Sequence, residues 1–463
     1  MDMTTPPVSL AHLIAPDAGS PMLKRNFVFG AGTSSYQIEG AAHEDGRLAS
    51  IWDRFSATPG KVLRGENGDV ACDHYHRYGE DLDILKRLGV DAYRFSIAWP
   101  RVMDEAGKPN ARGIDFYKRL LDGLGERGIR TFVTLYHWDL PQHLEDRGGW
   151  LNRETAYRFA DYADLMSREL AGHGDVAAWT THNEPWCSAY LGYGDGHHAP
   201  GLKSTRWAAQ AMHHLLLGHG LALPALRANA PQALHGLVTN VAPGYADTDT
   251  PEDRDAASLF ETFQNRWVMD PLLKGEYPAD MWRLWKGCEP LVLAGDMDII
   301  RRPIDYLGLN FYSRAVLRST GPDTIEWTRH PEVERTTMDW EVYPQGLQDL
   351  LEAFKREYAD ALPPIYITEN GMSSHDTVGA GGEVDDLQRQ AYLKGHFAAC
   401  SRAMQNGVDV RGYFIWSLLD NFEWAFGYER RFGLVHVDFE TQQRTLKRSA
   451  LAYADFLRER AAG

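Results

Sequence analysis

The chain has 463 residues, 44% of them hydrophobic and 24% charged, with a formal net charge of −16 at pH 7. That is the balance of a soluble globular protein, and the acidic excess argues against nucleic acid or an acidic membrane surface as partner. No apolar run approaches the roughly 18 residues that a membrane-spanning helix needs.

The N-terminal stretch, residues 1–22, carries acids and prolines and no basic segment ahead of an apolar core. It reads as a loose tail and not as a signal peptide. From residue 23 onward, short β-rich runs alternate with longer helical patterns. The runs lie at 27–30, 92–97, 131–136, 177–181, 234–239, 306–311, 365–368 and 412–416. Amphipathic stretches lie between them, at 78–88, 114–127, 153–171, 206–229 and 386–404. In the first of these, Leu82, Leu85 and Leu88 recur at helical spacing and Gly89 is the expected stop. Eight strands, each followed by a helix, is the count of a (β/α)8 barrel. Near-continuous apolar strand interiors fit a parallel sheet buried on both faces. The expected architecture is one α/β domain over 23–463, a single (β/α)8 TIM barrel with elaborated loops after its strands.

Such barrels place active sites at the C-terminal ends of their strands. Polar residues collect there after seven of the eight runs. They are Gln37 and Glu39, then Arg94, then His137, Trp138 and Asp139, then Asn183 and Glu184. Asn310 and Tyr312, Glu369 and Asn370, and finally Asp420, Asn421, Glu423 and Trp424 complete the rim. Glu184 and Glu369 stand out, because each ends a strand beside an asparagine.

Several competing patterns fail on inspection. Gly30-Ala31-Gly32 follows a strand but lacks the third glycine and the helix start of a dinucleotide site. Asp247-Thr248-Asp249-Thr250-Pro251 begins like a calcium loop, and Pro251 then replaces the next ligand. His213, His214 and His219 share one helix, and His197 and His198 are adjacent, without partners at ligand spacing. No metal is expected. No GxSxG nucleophile elbow occurs. Cys72, Cys187, Cys288 and Cys400 form no CxxC pair and suit free thiols in a reducing, cytoplasmic setting.

Two facing carboxylates suffice to cleave a glycosidic bond, one protonating the leaving oxygen and one attacking the anomeric carbon. At about 5–5.5 Å, the spacing in retaining enzymes, their repulsion is roughly 3 kcal/mol at an effective dielectric near 20. That keeps one of them protonated near neutral pH. Arg94, Asn310 and Tyr312 are the groups available to keep the other ionised. No cofactor is required. The aromatic excess (14 Trp, 21 Tyr and 18 Phe) supplies flat platforms for sugar faces.

The pieces FVFGAGTSSYQIEGA (27–41), YRFSIAWPR (93–101), LYHWDLPQ (135–142), THNEP (181–185), LNFYSR (309–314), YITENG (366–371) and WSLLDNFEWAFGYERRFGLVHVD (416–438) together resemble glycoside hydrolase family 1, the β-glucosidase family of retaining glycosidases. The resemblance runs from residue 26 to about 458 and implies Glu184 as acid/base and Glu369 as nucleophile. It further implies that Gln37, His137, Asn183, Glu423 and Trp424 hold sugar hydroxyls, that Trp416 is the stacking platform, and that Arg94 and Tyr312 tune Glu369.

The expected substrates are unphosphorylated β-D-glucosides or short β-linked oligosaccharides such as cellobiose. Glu184 departs from the glutamine of the family's thioglucosidase branch, and Glu423 from the phosphate-receiving residues of its 6-phospho branch. A galactoside, fucoside or transglycosylation preference, or a non-catalytic sugar-binding role, are the competing readings. His182 departs from the family's apolar residue before Asn183 and is expected behind Glu184. The loop over 313–343, with Trp327 and Trp340, is expected to shape the entrance, whereas Trp186 and Cys187, just past Glu184, are read equally as lining that entrance or as structural. The sequence gives no reading of the oligomeric state.

Overall fold

The computed structural model describes residues 9–463. Eight parallel strands close a barrel in the order β1-β8-β7-β6-β5-β4-β3-β2. They are β1 (Val28–Gly32), β2 (Ala92–Ser96), β3 (Arg130–Tyr136), β4 (Val176–Asn183), β5 (Leu234–Val241), β6 (Tyr306–Phe311), β7 (Ile365–Asn370) and β8 (Val410–Trp416). Each falls on one of the eight apolar runs. The strands are buried along almost their whole length, because helices cover the outside and side chains fill the inside.

The helices that follow the strands are α1 (His74–Leu88), α2 (Ala111–Glu126), α3 (Glu154–Glu169), α4 (Thr205–Asn229), α5 (Pro251–Glu261), α6 (Pro344–Tyr358), α7 (Leu387–Gln405) and α8 (Arg448–Ala462). Helix α1 buries Leu82, Leu85 and Leu88 and ends at Gly89, as its spacing predicts. Helix α5 begins inside the apparent calcium loop. Thr250 caps it by accepting from the Asp253 N–H, while Asp247 is bound to His330 and Asp249 to Arg254.

The N-terminal end of the barrel is plugged by a cluster of Val28, Ala92, Phe132, Ala178, Tyr306, Tyr366 and Phe414. The ring centres of Phe132 and Phe414 are 4.8 Å apart, and those of Phe132 and Tyr366 5.3 Å. Gly30 makes room for this plug. A Cβ there would lie 2.4 Å from the Phe414 ring and 2.6 Å from the Ala92 carbonyl oxygen. The glycines of the apparent dinucleotide fingerprint are therefore packing residues within β1.

The expectation of a loose tail over 1–22 needs correction where the structure describes it. Residues 1–8 lie outside the described residues. From there on, Ala11, Ile14 and Met22 are buried, and the Leu10 N–H donates to Asp455 on α8 at 2.9 Å. These three apolar side chains gain more by packing against α7 and α8 than by staying in water.

Helix α5, between β5 and β6, packs on a small sheet made of Gly244–Ala246 and, from the loop after β6, Ala315–Arg318 and Glu326–Trp327. This excursion builds one wall above the barrel. Beneath the loop after β8 lies a buried ion network. Lys447 bridges Asp376 at 2.5 Å and Asp420 at 2.6 Å, and Arg389 pairs with Asp376 and Asp386. Arg431 also reaches Asp420, at 2.7 Å. Three acids and three bases thus pin the loop carrying Asn421, Glu423 and Trp424 to α7, α8 and the loop after β7.

Candidate active site

Two strand irregularities aim the carboxylates. The register of β4 against β5 shifts between Thr180 and Asn183. Thr181 and His182 both turn outward, Thr181 to His219 on α4 and His182 onto Phe159 of α3, with ring centres 4.3 Å apart. A bulge of this kind re-aims the residues that follow it. Asn183 then points inward, and Glu184 follows in the left-handed region at φ 48°, a conformation costing a non-glycine residue about 1–3 kcal/mol. Trp138 (φ 76°) and Trp424 (φ 53°) share it. In β7 the register shifts between Ile367 and Glu369, and both Thr368 and Glu369 reach the inner end of the barrel. Gly371 follows because a Cβ there would lie 1.8 Å from the Trp416 carbonyl oxygen, so close approach and not a hairpin turn requires it.

The strand ends enclose a cavity of about 620 Å³, within the range of small-molecule sites. His137, Glu184, Asn310, Tyr312, Glu369, Trp416, Glu423 and Trp424 line its inner part, and Trp186, Trp327, Trp340 and Phe432 stand on its walls. Glu369 accepts from Arg94 at 2.6 Å and from the Tyr312 hydroxyl at 2.5 Å. Glu184 accepts from the Asn310 amide at 2.6 Å, and the Cys187 thiol lies 3.1 Å from its other oxygen.

The electrostatics separate the two acids. Burial raises both. Arg94, foremost, and the Tyr312 bond pull Glu369 back toward its ionised form. Glu184 has no ion-pair partner among the described residues; burial and then the charge of Glu369 push it up to about 8. Of the pair, Glu184 holds the proton. Glu423 is likewise pushed up to about 8, by burial first and by Glu369 and Glu184 next. His137 is held neutral by burial and the nearby Arg94. Its Nε2 faces the Asn183 amide at 3.1 Å, and its buried Nδ1 has no partner among the described residues.

Not every rim residue reaches the cavity. Gln37 and Asn183 sit behind its lining. Gln37 donates to Asn421, to the Phe422 carbonyl and to Glu423, at 3.0, 2.9 and 3.4 Å. Asn183 accepts from Arg94 and Asn310. Glu39 pairs with Arg101 at 2.9 Å, Asp139 accepts from Ser35, and Asn370 turns outward to Tyr392. His182 is an aromatic core residue between Phe159, Trp150 and Tyr136, held neutral by burial.

The histidines rejected as metal ligands divide. His213 is bound to Asp296 at 2.9 Å, whereas His197 and His198 line the cavity mouth beside Trp138 and Phe426. No local pattern marks the last two, or Asn240 and Gln264, which line the same cavity, because separate chain segments bring them together. Among the described residues, no group of three or more His, Cys, Asp or Glu side chains is arranged to hold a metal.

The chain matches the family model "Glycosyl hydrolase family 1" over residues 20–462. It is 44% identical over 442 residues to beta-glucosidase A of Acetivibrio thermocellus, covering 94% of this chain and 98% of that protein. It is 45% identical over 470 residues to a bifunctional beta-D-glucosidase/beta-D-fucosidase of Bifidobacterium breve, covering 95% and 98%. A solved family 1 β-glucosidase from Thermotoga maritima, in complex with isofagomine lactam, superposes with a TM-score of 0.91 at 41% identity, covering 94% of this chain and 98% of that one.

Proposed function

This chain belongs to glycosyl hydrolase family 1, and from that premise we propose that it hydrolyses unphosphorylated β-D-glucosides with retention, Glu369 acting as nucleophile and Glu184 as acid/base. One observation carries the residue roles: of the buried carboxyls Glu184, Glu369 and Glu423 on the cavity floor, only Glu369 has a cation, Arg94, against it among the described residues.

In the first step the Glu369 carboxylate attacks C1 of the sugar, the bond from C1 to the glycosidic oxygen breaks, and Glu184 gives its proton to that oxygen. Glycosylation removes the charge on Glu369, so the repulsion that raised Glu184 falls. Glu184 then takes a proton from water as the water oxygen attacks C1 and frees Glu369. His137 and Glu423 line the cavity as hydroxyl partners, and Trp416, parallel to the His137 ring within 13°, offers a face to the C–H surface of the sugar. The position of Gln37 and Asn183 supports a role in orienting Glu423, Arg94 and His137.

The bifunctional relative favours a secondary β-D-fucoside activity. The aromatic walls support cellobiose-like disaccharides as substrates, and four unpaired thiols support a reducing compartment. The deciding experiment is Glu369→Gly, assayed on an aryl β-D-glucoside with and without azide. Loss of hydrolysis, with α-glucosyl azide formed on rescue, is the expected result. Normal hydrolysis by this variant would reject the nucleophile assignment.

A further inference from the structure

A guanidinium has only hydrogen-bond donors. Arg94 Nη2 lies 2.6 Å from the side chain of Asn183, so the Asn183 atom facing it is the carbonyl oxygen. The amide of Asn310 approaches that same oxygen at 3.0 Å and therefore meets it with its NH2 group. The other end of Asn310 agrees, since its oxygen accepts from the Thr368 hydroxyl at 2.7 Å. The NH2 group also faces Glu184 Oε1 at 2.6 Å. Oε1 is consequently an acceptor whatever the protonation state of Glu184. A proton placed on it would point at a donor.

We infer that the relay from Arg94 through Asn183 and Asn310 confines the proton of Glu184 to Oε2, where the thiol of Cys187 is its resting partner, so that Cys187 is a positioning residue for acid/base catalysis. This rests on the reading of Glu184 as the acid/base. Cys187 Sγ lies 3.1 Å from Oε2, is buried and borders the cavity. A thiol both donates and accepts, each weakly. When Glu184 is protonated, Oε2–H donates to sulfur, and a glycosidic oxygen, a better acceptor, takes the proton over. When Glu184 is ionised, S–H donates back to Oε2. A thiol thus serves both steps without holding the proton firmly in either.

The other charged or titratable groups facing Glu184 are Glu369 from β7 and Glu423 from the loop after β8, which disfavour its ionised form, and Arg94 from β2, which favours it. Tyr312, beyond β6, stays neutral beside them. None of these contacts Oε2 in the described structure.

The test compares Cys187→Ala and Cys187→Ser with the parent enzyme. Each is assayed across pH on aryl β-D-glucosides with a poor and a good leaving group. Cys187→Ala is expected to lower kcat/KM for the poor leaving group about tenfold, the worth of one hydrogen bond, and to spare the good one. It should also move the descending limb to higher pH, because the carboxylate has lost a donor. Cys187→Ser is expected to restore both. In the parent enzyme, the infrared S–H band assigned to Cys187 by difference against Cys187→Ser should shift as pH crosses that limb. Equal losses on both substrates, an unmoved limb or an S–H band insensitive to pH would overturn the inference. Glu184→Ala is the control. If that variant left the leaving-group dependence unchanged, the acid/base assignment beneath the inference would fall as well.

Discussion

Arg94 and Glu369 form an ion pair of 2.6 Å with both side chains almost wholly excluded from solvent. A buried pair of this kind contributes little net stability while intact, yet loss of one partner costs about 3–5 kcal/mol, because the other is left charged and dry. Its consequence here is electrostatic. The guanidinium keeps the carboxylate ionised, and the same group orients Asn183.

Replacing the guanidinium follows directly. Arg94→Met removes the largest influence holding Glu369 down. Glu369 attacks only when ionised, so the ascending limb of kcat/KM against pH should move to higher pH and the rate near neutrality should fall more than about 100-fold. An unmoved limb in a folded variant would show that Arg94 does not set the ionisation of Glu369.

The descending limb belongs to Glu184, which burial and Glu369 push up to about 8. Activity requires its protonated form, so kcat/KM should decline as pH rises through that region. Glu369→Gln removes the neighbouring charge and should lower the titration of Glu184, read by carbon NMR of labelled glutamate. A titration unchanged by that substitution would place the cause in burial alone.

Sugar phosphates should be excluded. Glu184, Glu369 and Glu423 surround the cavity floor, where burial and mutual repulsion already disfavour further negative charge, and Arg94 is committed to Glu369, so a phosphate dianion finds no free cation there among the described residues. On a panel of aryl β-D-glycosides, the glucoside and fucoside should be turned over at least about 100-fold faster than the glucoside 6-phosphate, roughly 3 kcal/mol of discrimination. A preference for the phosphate would refute this account of Glu423.

The ion network under the β8 loop sets both stability and its acid limit. Lys447→Met leaves Asp376 and Asp420 short of a partner and should cost about 3–5 kcal/mol in urea unfolding. Asp376 is held down at about 2, with Arg389 and Lys447 outweighing its burial. A carboxylate with a depressed folded pKa stabilises above its unfolded value, near 3.9, and that contribution, about 2 kcal/mol, is lost as pH falls toward 2. The parent protein should therefore lose stability steeply between about pH 4 and 2, and an unfolding midpoint flat over that interval would contradict the network's role.

The barrel was legible in the chain because its cause is local. Eight apolar runs, each followed by an amphipathic stretch, leave few ways to bury every face, and Glu184 and Glu369 stood out because a strand-end carboxylate has no apolar surface to occupy. What tertiary structure alone decided is the partnering. Gln37, Glu39, Asp139 and Asn370 share the same strand-end signature, yet Glu39 goes to Arg101 and Asn370 to Tyr392, away from the cavity. Sequence spacing fixes which strand end a side chain occupies. A one-residue bulge, such as the one that sends Thr181 and His182 outward, decides which side of the sheet it faces. His197, His198 and the proton-bearing oxygen of Glu184 were unreadable for the same reason, since each depends on contacts between segments far apart in the chain and on donor and acceptor directions that exist only once the barrel has closed.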